Sequence, residues 1–332
     1  MIDSVRKTVL SVLNKNNYGY ITPADFNLYA KQAQLDIFDD YFYDYNYQIN
    51  KENSTSGYKG VIHTSGTGYA NIRKGYEEVI DGLSETKFLN NRQINTTDTH
   101  MFFTPSQTTT GDDYYLINRV EVLPTLLISG TNTLASANAL VDGTADFITS
   151  GVSIGDSVAN VDTGFAASIL GVAAQTLLLD KDIFPVAGGT GETYNVFDAS
   201  DRAEVEMVSQ AKIMQLNISL LTAPTTMFPA YTIDGDFISI YPNTINKVGQ
   251  VKSQYIRYPK DPKWTWDVVA GLGGGEPIFN GSAADYQDFE LALDDQVDLV
   301  IKILQYAGMS IREVQAVQFA QAQEQLNIQE EK

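Results

Sequence analysis

The sequence predicts an α+β fold: a helical core of long helices with a β-hairpin region, built discontinuously from residues 1–125 and 200–332 and interrupted by a small inserted all-β domain at 126–199. Three observations carry that reading. Apolar residues in the two flanks recur at steps of three and four, the spacing of one helix face. Asp234-Gly235 divides two β-prone runs, a strong short-range hairpin signal. Residues 126–199 are a different kind of sequence, with 8 acids, one base (Lys181) and no arginine, rich in Gly, Ala, Ser, Thr and Val. Their short apolar runs are broken by Ser150-Gly151, Asp162-Thr163-Gly164 and Gly188-Gly189-Thr190-Gly191, the punctuation of small strands and turns.

Taken in order, Thr22-Pro23-Ala24-Asp25 opens the first strong helix. The hydroxyl caps free N–H groups, Pro loses nothing in the first turn, and the acid faces the positive end of the dipole. Phe26, Tyr29, Ala30, Ala33, Ile37 and Tyr41 carry the helix to about Asn50, with Asp36, Asp39, Asp40 and Asp44 beside them. Residues 51–112 are polar and turn-rich around a short helix at Ile72–Leu83, so loops or arms are expected there. After Ser200, Met207, Ala211, Met214, Ile218 and Leu221 predict a helix over 201–221 that stops before Pro224 and packs its stripe on a neighbour. The hairpin follows at Tyr231–Tyr241 and a strand at Val251–Tyr258. Phe289, Leu293, Val297, Val300 and Leu304 predict a helix ending at Gly308, and the capping-box pattern Ser310-Ile311-Arg312-Glu313 opens a last one through about Gln325.

The 41 acids against 22 bases give a net charge of -19 and a pI near 4.3, which excludes most direct DNA binders because phosphate recognition needs clustered Lys and Arg. The absence of cysteine excludes disulfides, thiolate metal sites and a cysteine nucleophile. The first residues carry no apolar run suited to a signal peptide, and no stretch approaches the roughly 20 apolar residues of a membrane helix. Synthesis in the cytoplasm, without membrane insertion, is expected.

No catalytic or metal constellation emerges. Gly151-Val152-Ser153-Ile154-Gly155 matches the G-x-S-x-G elbow, but no helix pattern follows, and both histidines, His63 and His100, precede the serine. Asn14 to Asp25 has part of a calcium-loop rhythm, but Tyr18 fills the fifth place, Pro23 the tenth, and Asp25 stands where the bidentate Glu belongs. The glycine clusters at 66–68, 188–191 and 271–275 lack the Lys-Ser/Thr or final glycine of phosphate cradles. No enzyme, cofactor or metal is expected. The candidate residues are instead interface residues: Tyr41, Tyr43 and Tyr45 in an acidic aromatic run, Trp264 and Trp266 beside Pro259 and Pro262, and Gln318, Gln321 and Gln325 in the Gln-rich terminal helix.

Three passages resemble a known family. The opening Val9-Leu10-Ser11-Val12-Leu13-Asn14-Lys15 with Gly19-Tyr20-Ile21-Thr22-Pro23-Ala24-Asp25-Phe26-Asn27 and Ala33-Gln34 is similar to the start of head-to-tail connector (adaptor or ring) proteins of tailed bacteriophages, crAss-like podoviruses in particular. Tyr255-Ile256-Arg257-Tyr258-Pro259-Lys260-Asp261-Pro262 and Tyr306-Ala307-Gly308-Met309-Ser310-Ile311-Arg312-Glu313 resemble the same proteins. Residues 126–199 depart from a minimal adaptor and look like small β modules inserted in virion proteins. The resemblance implies a virion structural protein: a closed ring of about twelve copies beneath the portal protein, next to other connector or tail rings, through which double-stranded DNA passes unbound. The alternative is an adhesion module of a phage or cell surface that binds a glycan through the β insertion with Trp264 and Trp266.

Overall fold

The computed structural model describes residues 1–14, 21–55, 72–92, 100–185, 190–268 and 277–311. In chain order these form α1 (Ile2–Asn14), α2 (Pro23–Thr55), α3 (Ile72–Gly82), β1 (Ser84–Phe88), β2 (Met101–Phe103), β3 (Tyr114–Val122), β4 (Leu126–Thr131), β5 (Leu134–Ser136), β6 (Ala139–Val141), β7 (Ser157–Asn160), β8 (Ala166–Val172), β9 (Thr176–Leu179) and β10 (Thr193–Phe197). Then follow β11 (Ala203–Glu204), β12 (Glu206–Met207), α4 (Gln210–Leu216), β13 (Ala230–Asp234), β14 (Phe237–Tyr241), β15 (Val251–Arg257), β16 (Trp266–Val268), β17 (Pro277–Phe279) and α5 (Gln296–Ile311). The chain divides into two units, Met1–Leu83 with Pro259–Lys332, and Ser84–Tyr258.

The expected helical core is corrected by this architecture. Sheets of four, seven, four and two strands dominate, and the described residues of 84–125 and 200–258, assigned to a helical core with strands, carry β1–β3 and β11–β15 and one short helix, α4. The helix expected over 201–221 shrinks to α4, preceded by β11 and β12. Strands of two residues are too short to leave an alternating pattern, so the helical spacing of their neighbours prevailed in the sequence. Gly308, read as a helix end, lies inside α5. The last helix expected through Gln325 lies, beyond Ile311, outside the described residues.

In the first unit, helical spacing becomes packing. Ile2, Val5, Val9 and Leu13 of α1, Phe26, Ala30, Ala33, Ile37 and Tyr41 of α2, and Leu299, Ile303, Leu304 and Ala307 of α5 enclose one core with Trp264 and Phe289. At the start of α2 the Thr22 hydroxyl oxygen accepts from the Asp25 amide at 3.1 Å and its proton goes to the Asp25 carboxylate at 2.6 Å, so the capping residues engage each other.

In the second unit, one four-stranded sheet has the order β1-β15-β3-β11 and the other β12-β13-β14-β2. Val120, Val122 and Val251 of the first meet Phe102, Tyr231, Ile238 and Ile240 of the second in a shared core. Gly235, at φ 58°, supplies the left-handed turn between β13 and β14.

The seven-stranded sheet has the order β4-β10-β7-β8-β9-β6-β5. Its edge strands β4 and β5 are consecutive in the chain, separated only by Asn132 and Thr133, so the sheet coils round its own core of Leu140, Val158, Ile169, Leu177, Tyr194 and Val196. The Tyr194 hydroxyl donates to Asp142 at 2.8 Å inside it. A Cβ on Gly130 would lie 2.7 Å from that hydroxyl, which is why glycine stands there. Burial pushes the Asp142 carboxyl up, but hydrogen bonds from the Thr144 hydroxyl and amide, the Tyr194 hydroxyl and the Ala145 amide outweigh it and hold it below the usual carboxylate range.

Candidate assembly surface

The crossover from β12 to β13 gathers several of the large apolar residues that stand exposed among the described residues. β12 pairs parallel with β13, Glu206 opposite Ala230 and Met207 opposite Tyr231. A parallel pair needs a crossover rather than a tight turn, and here residues 208–229 supply it with α4 inside. Ser209, in extended conformation, caps α4 by accepting from the Lys212 amide at 3.4 Å. One side of this segment is fixed: Val208, Ile213 and Ala230 are buried together, with Leu216 and Tyr241 against them.

The other side faces solvent. Met207, Met214, Ile218, Leu220, Leu221, Met227 and Phe228 are all exposed, Ile218 at 84%, Leu221 at 94% and Leu220 fully. The backbone beneath them is held by its own hydrogen bonds. The amides of Thr222 and Ala223 donate to the Ser219 carbonyl at 3.1 and 2.9 Å, Thr225 and Phe228 exchange amide-to-carbonyl bonds at 3.2 and 3.1 Å, and the Thr222 hydroxyl donates to the Leu216 carbonyl at 2.9 Å. Residues 207–228 contain no acid and a single base, Lys212, in a chain of net charge -19. The result is an acid-free arm, held by its own backbone hydrogen bonds, that presents large apolar side chains outward. Exposed apolar side chains gathered in one segment make it a candidate contact surface.

The sequence had the signal and assigned it the wrong environment. Met207, Met214, Ile218 and Leu221 were expected to pack on a neighbouring helix, yet they are the exposed residues, and Val208 and Ile213 between them are the buried ones. The missing acids across 207–228 set this segment apart from an ordinary solvated helix face.

The sequence-derived interface residues are dispersed. Tyr41 is in the first unit's core and donates its hydroxyl to Asp295; burial and then that carboxylate push the phenol up. Tyr43 is exposed, and Tyr45 is half-buried and donates to Glu77 at 3.0 Å. Burial together with Asp36 and Asp40 raises the Asp39 carboxyl above its usual range, and burial together with Asp40 does the same for Asp44. Trp264 is interior, while Trp266, stacked on it at 6.0 Å between ring centroids, keeps one side in solvent. Gln318, Gln321 and Gln325 lie outside the described residues, as do His63 and the glycines at 66–68 and 271–275.

Ser153 sits in a turn bounded by Gly151 at φ 79° and Gly155 at φ 96°, and strand β7 rather than a helix follows. Its amide donates to Asp156 at 2.7 Å. His100 is buried against Tyr241, with ring centroids 5.5 Å apart. Among the described residues no group of three or more His, Asp or Glu is placed to hold a metal ion, and no helix is long and apolar enough to cross a membrane. No protein-family model matches the chain, and no curated protein matches its sequence.

Proposed function

We propose that the chain is a structural virion protein that assembles into a ring in the head-to-tail connector of a tailed bacteriophage, beneath the portal, and provides a channel for the genome. The observation that supports this reading is the arm at 207–228. Seven large apolar side chains stand in water there. Full burial of such a side chain is worth about 1.5–3 kcal/mol, so covering the arm releases on the order of 10 kcal/mol before the cost of association. A lone chain leaves that stabilisation unused, and an assembled one recovers it. The charge suits a channel, since each copy adds -19 and an acidic wall repels phosphate at short range, letting DNA slide without sticking. Ring formation with about twelve copies follows the resemblance and the preference of homo-oligomers for closed symmetry.

Negative-stain electron microscopy of the purified chain over rising concentration tests the proposal. Annular particles with a stain-filled centre in end-on views are expected. Compact particles of single-chain size at every concentration would contradict it.

A further inference from the structure

The ring reading leaves open what covers the arm, and the second unit carries a matching surface. β8, β9, β6 and β5 are neighbours in the seven-stranded sheet. Leu178 of β9 pairs with Ala139 of β6, and Leu134 of β5 pairs with Val141, two residues along β6, so Leu134 and Leu178 stand on one face. Leu170 lies at the bulge of β8 opposite Leu178. All three leucines are more than half exposed, while Leu140, Ile169 and Leu177 fill the inner side. The positions that share the side of Leu134 and Leu178 on β5, β6 and β9 are the half-buried Ser136, Val141 and Thr176 and the buried Ala139, none of them charged.

We propose that the arm of one copy seats on this outer face of the next copy, around Leu134, Leu170 and Leu178. The inference rests on the ring reading and names the contact that would build the ring. Three arguments select a second copy of this chain as the occupant. Like charges brought together oppose contact between chains of net charge -19, and the arm and the outer face are two surfaces that meet without setting acid against acid. Seven exposed apolar side chains on the arm and three exposed leucines on the outer face give such a contact an apolar centre from both sides, all supplied by this one chain. The two surfaces lie on different sheets and are unlike each other, so the contact is head to tail; such a contact leaves one arm and one face free at each step until a ring closes.

Native mass spectrometry of two surface variants and their mixture is the test. The arm variant carries Leu220→Glu with Leu221→Glu, and the face variant carries Leu170→Glu with Leu178→Glu. All four positions are exposed, and far-ultraviolet circular dichroism confirms folding; Leu134→Glu is an independent third substitution on the same face. Each variant alone is expected at 36.6 kDa where the unaltered chain forms rings. Mixed one to one, the two variants are expected to give a pair at twice 36.6 kDa and nothing larger, because only one intact arm and one intact face remain to meet. Rings formed by either variant alone, or a mixture that yields no pair, would overturn the arm-to-face contact while leaving the ring reading standing. An unaltered chain that stays single at every concentration would overturn the ring reading and this contact with it.

Discussion

Trp264→Ala is expected to destabilise the first unit by about 3–5 kcal/mol, the range for removing a large buried aromatic side chain. Trp264 is 1% exposed and sits where sequence-distant segments meet. Its amide donates to the Asn27 side chain at 2.9 Å, its carbonyl accepts from the same side chain at 3.1 Å, and its indole N–H donates to Asp3 at 3.2 Å. The Arg6 guanidinium lies 3.9 Å from the ring centroid, and Trp266 and Phe279 stack at 6.0 and 5.8 Å. Burial raises the Asp3 carboxyl, but hydrogen bonds from Lys7 and the Trp264 indole outweigh it and hold the group below the usual range. Alanine therefore removes volume, a cation–π partner and a carboxylate's donor together. The chain has two tryptophans, both in the first unit, so the fluorescence of Trp266 during urea unfolding reports this unit alone. A midpoint unchanged from the unaltered chain would contradict the packing described.

Lys87→Met is expected to cost the second unit about 3–5 kcal/mol, and Lys87→Met with Asp112→Leu to recover most of it. The Lys87 ammonium on β1 pairs with the buried Asp112, donates to the Thr110 carbonyl at 3.0 Å and lies 2.7 Å from Glu85, which Arg257 of β15 also engages at 3.0 Å. Burial pulls the Lys87 ammonium down, but Asp112 and Glu85 together push it above its ordinary range. Removing Lys87 leaves the carboxylate of Asp112, 8% exposed, desolvated without its partner. Replacing both ends with apolar groups removes the penalty together with the attraction. A double-mutant cycle of urea-unfolding free energies measures the coupling. Additive effects of the two substitutions would show that the pair is not coupled.

The sequence was most legible where local chemistry dictates conformation. Thr22-Pro23 marks the start of α2 because cap and proline act within one turn, and Asp234-Gly235 marks the hairpin because few residues tolerate the left-handed turn. The composition break at 126 and 199 brackets the strands of the seven-stranded sheet, β4 to β10. Legibility failed where tertiary partners decide. β1, Ser-Glu-Thr-Lys-Phe, carries no apolar alternation, since its burial is stabilised by the ion pairs of Glu85 and Lys87 rather than by a hydrophobic face. Gly308 carries the general cost of glycine in a helix, about 1 kcal/mol, yet Ala307 beside it is anchored in the first unit's core and α5 continues to Ile311. The arm failed for a related reason: helical periodicity identifies a shared face, but it does not say whether that face meets the same chain or another one. Trp264 was singled out for its aromatic surface, and only its distant partners Asp3, Arg6 and Asn27 reveal it as a core residue.

Assembly is the central claim, and native mass spectrometry of the unaltered chain over a concentration series tests it most directly. One closed species at a fixed integral multiple of 36.6 kDa, near about twelve copies, is expected to grow at the expense of the single chain as concentration rises. A spectrum that holds only the 36.6 kDa chain at every concentration would contradict it.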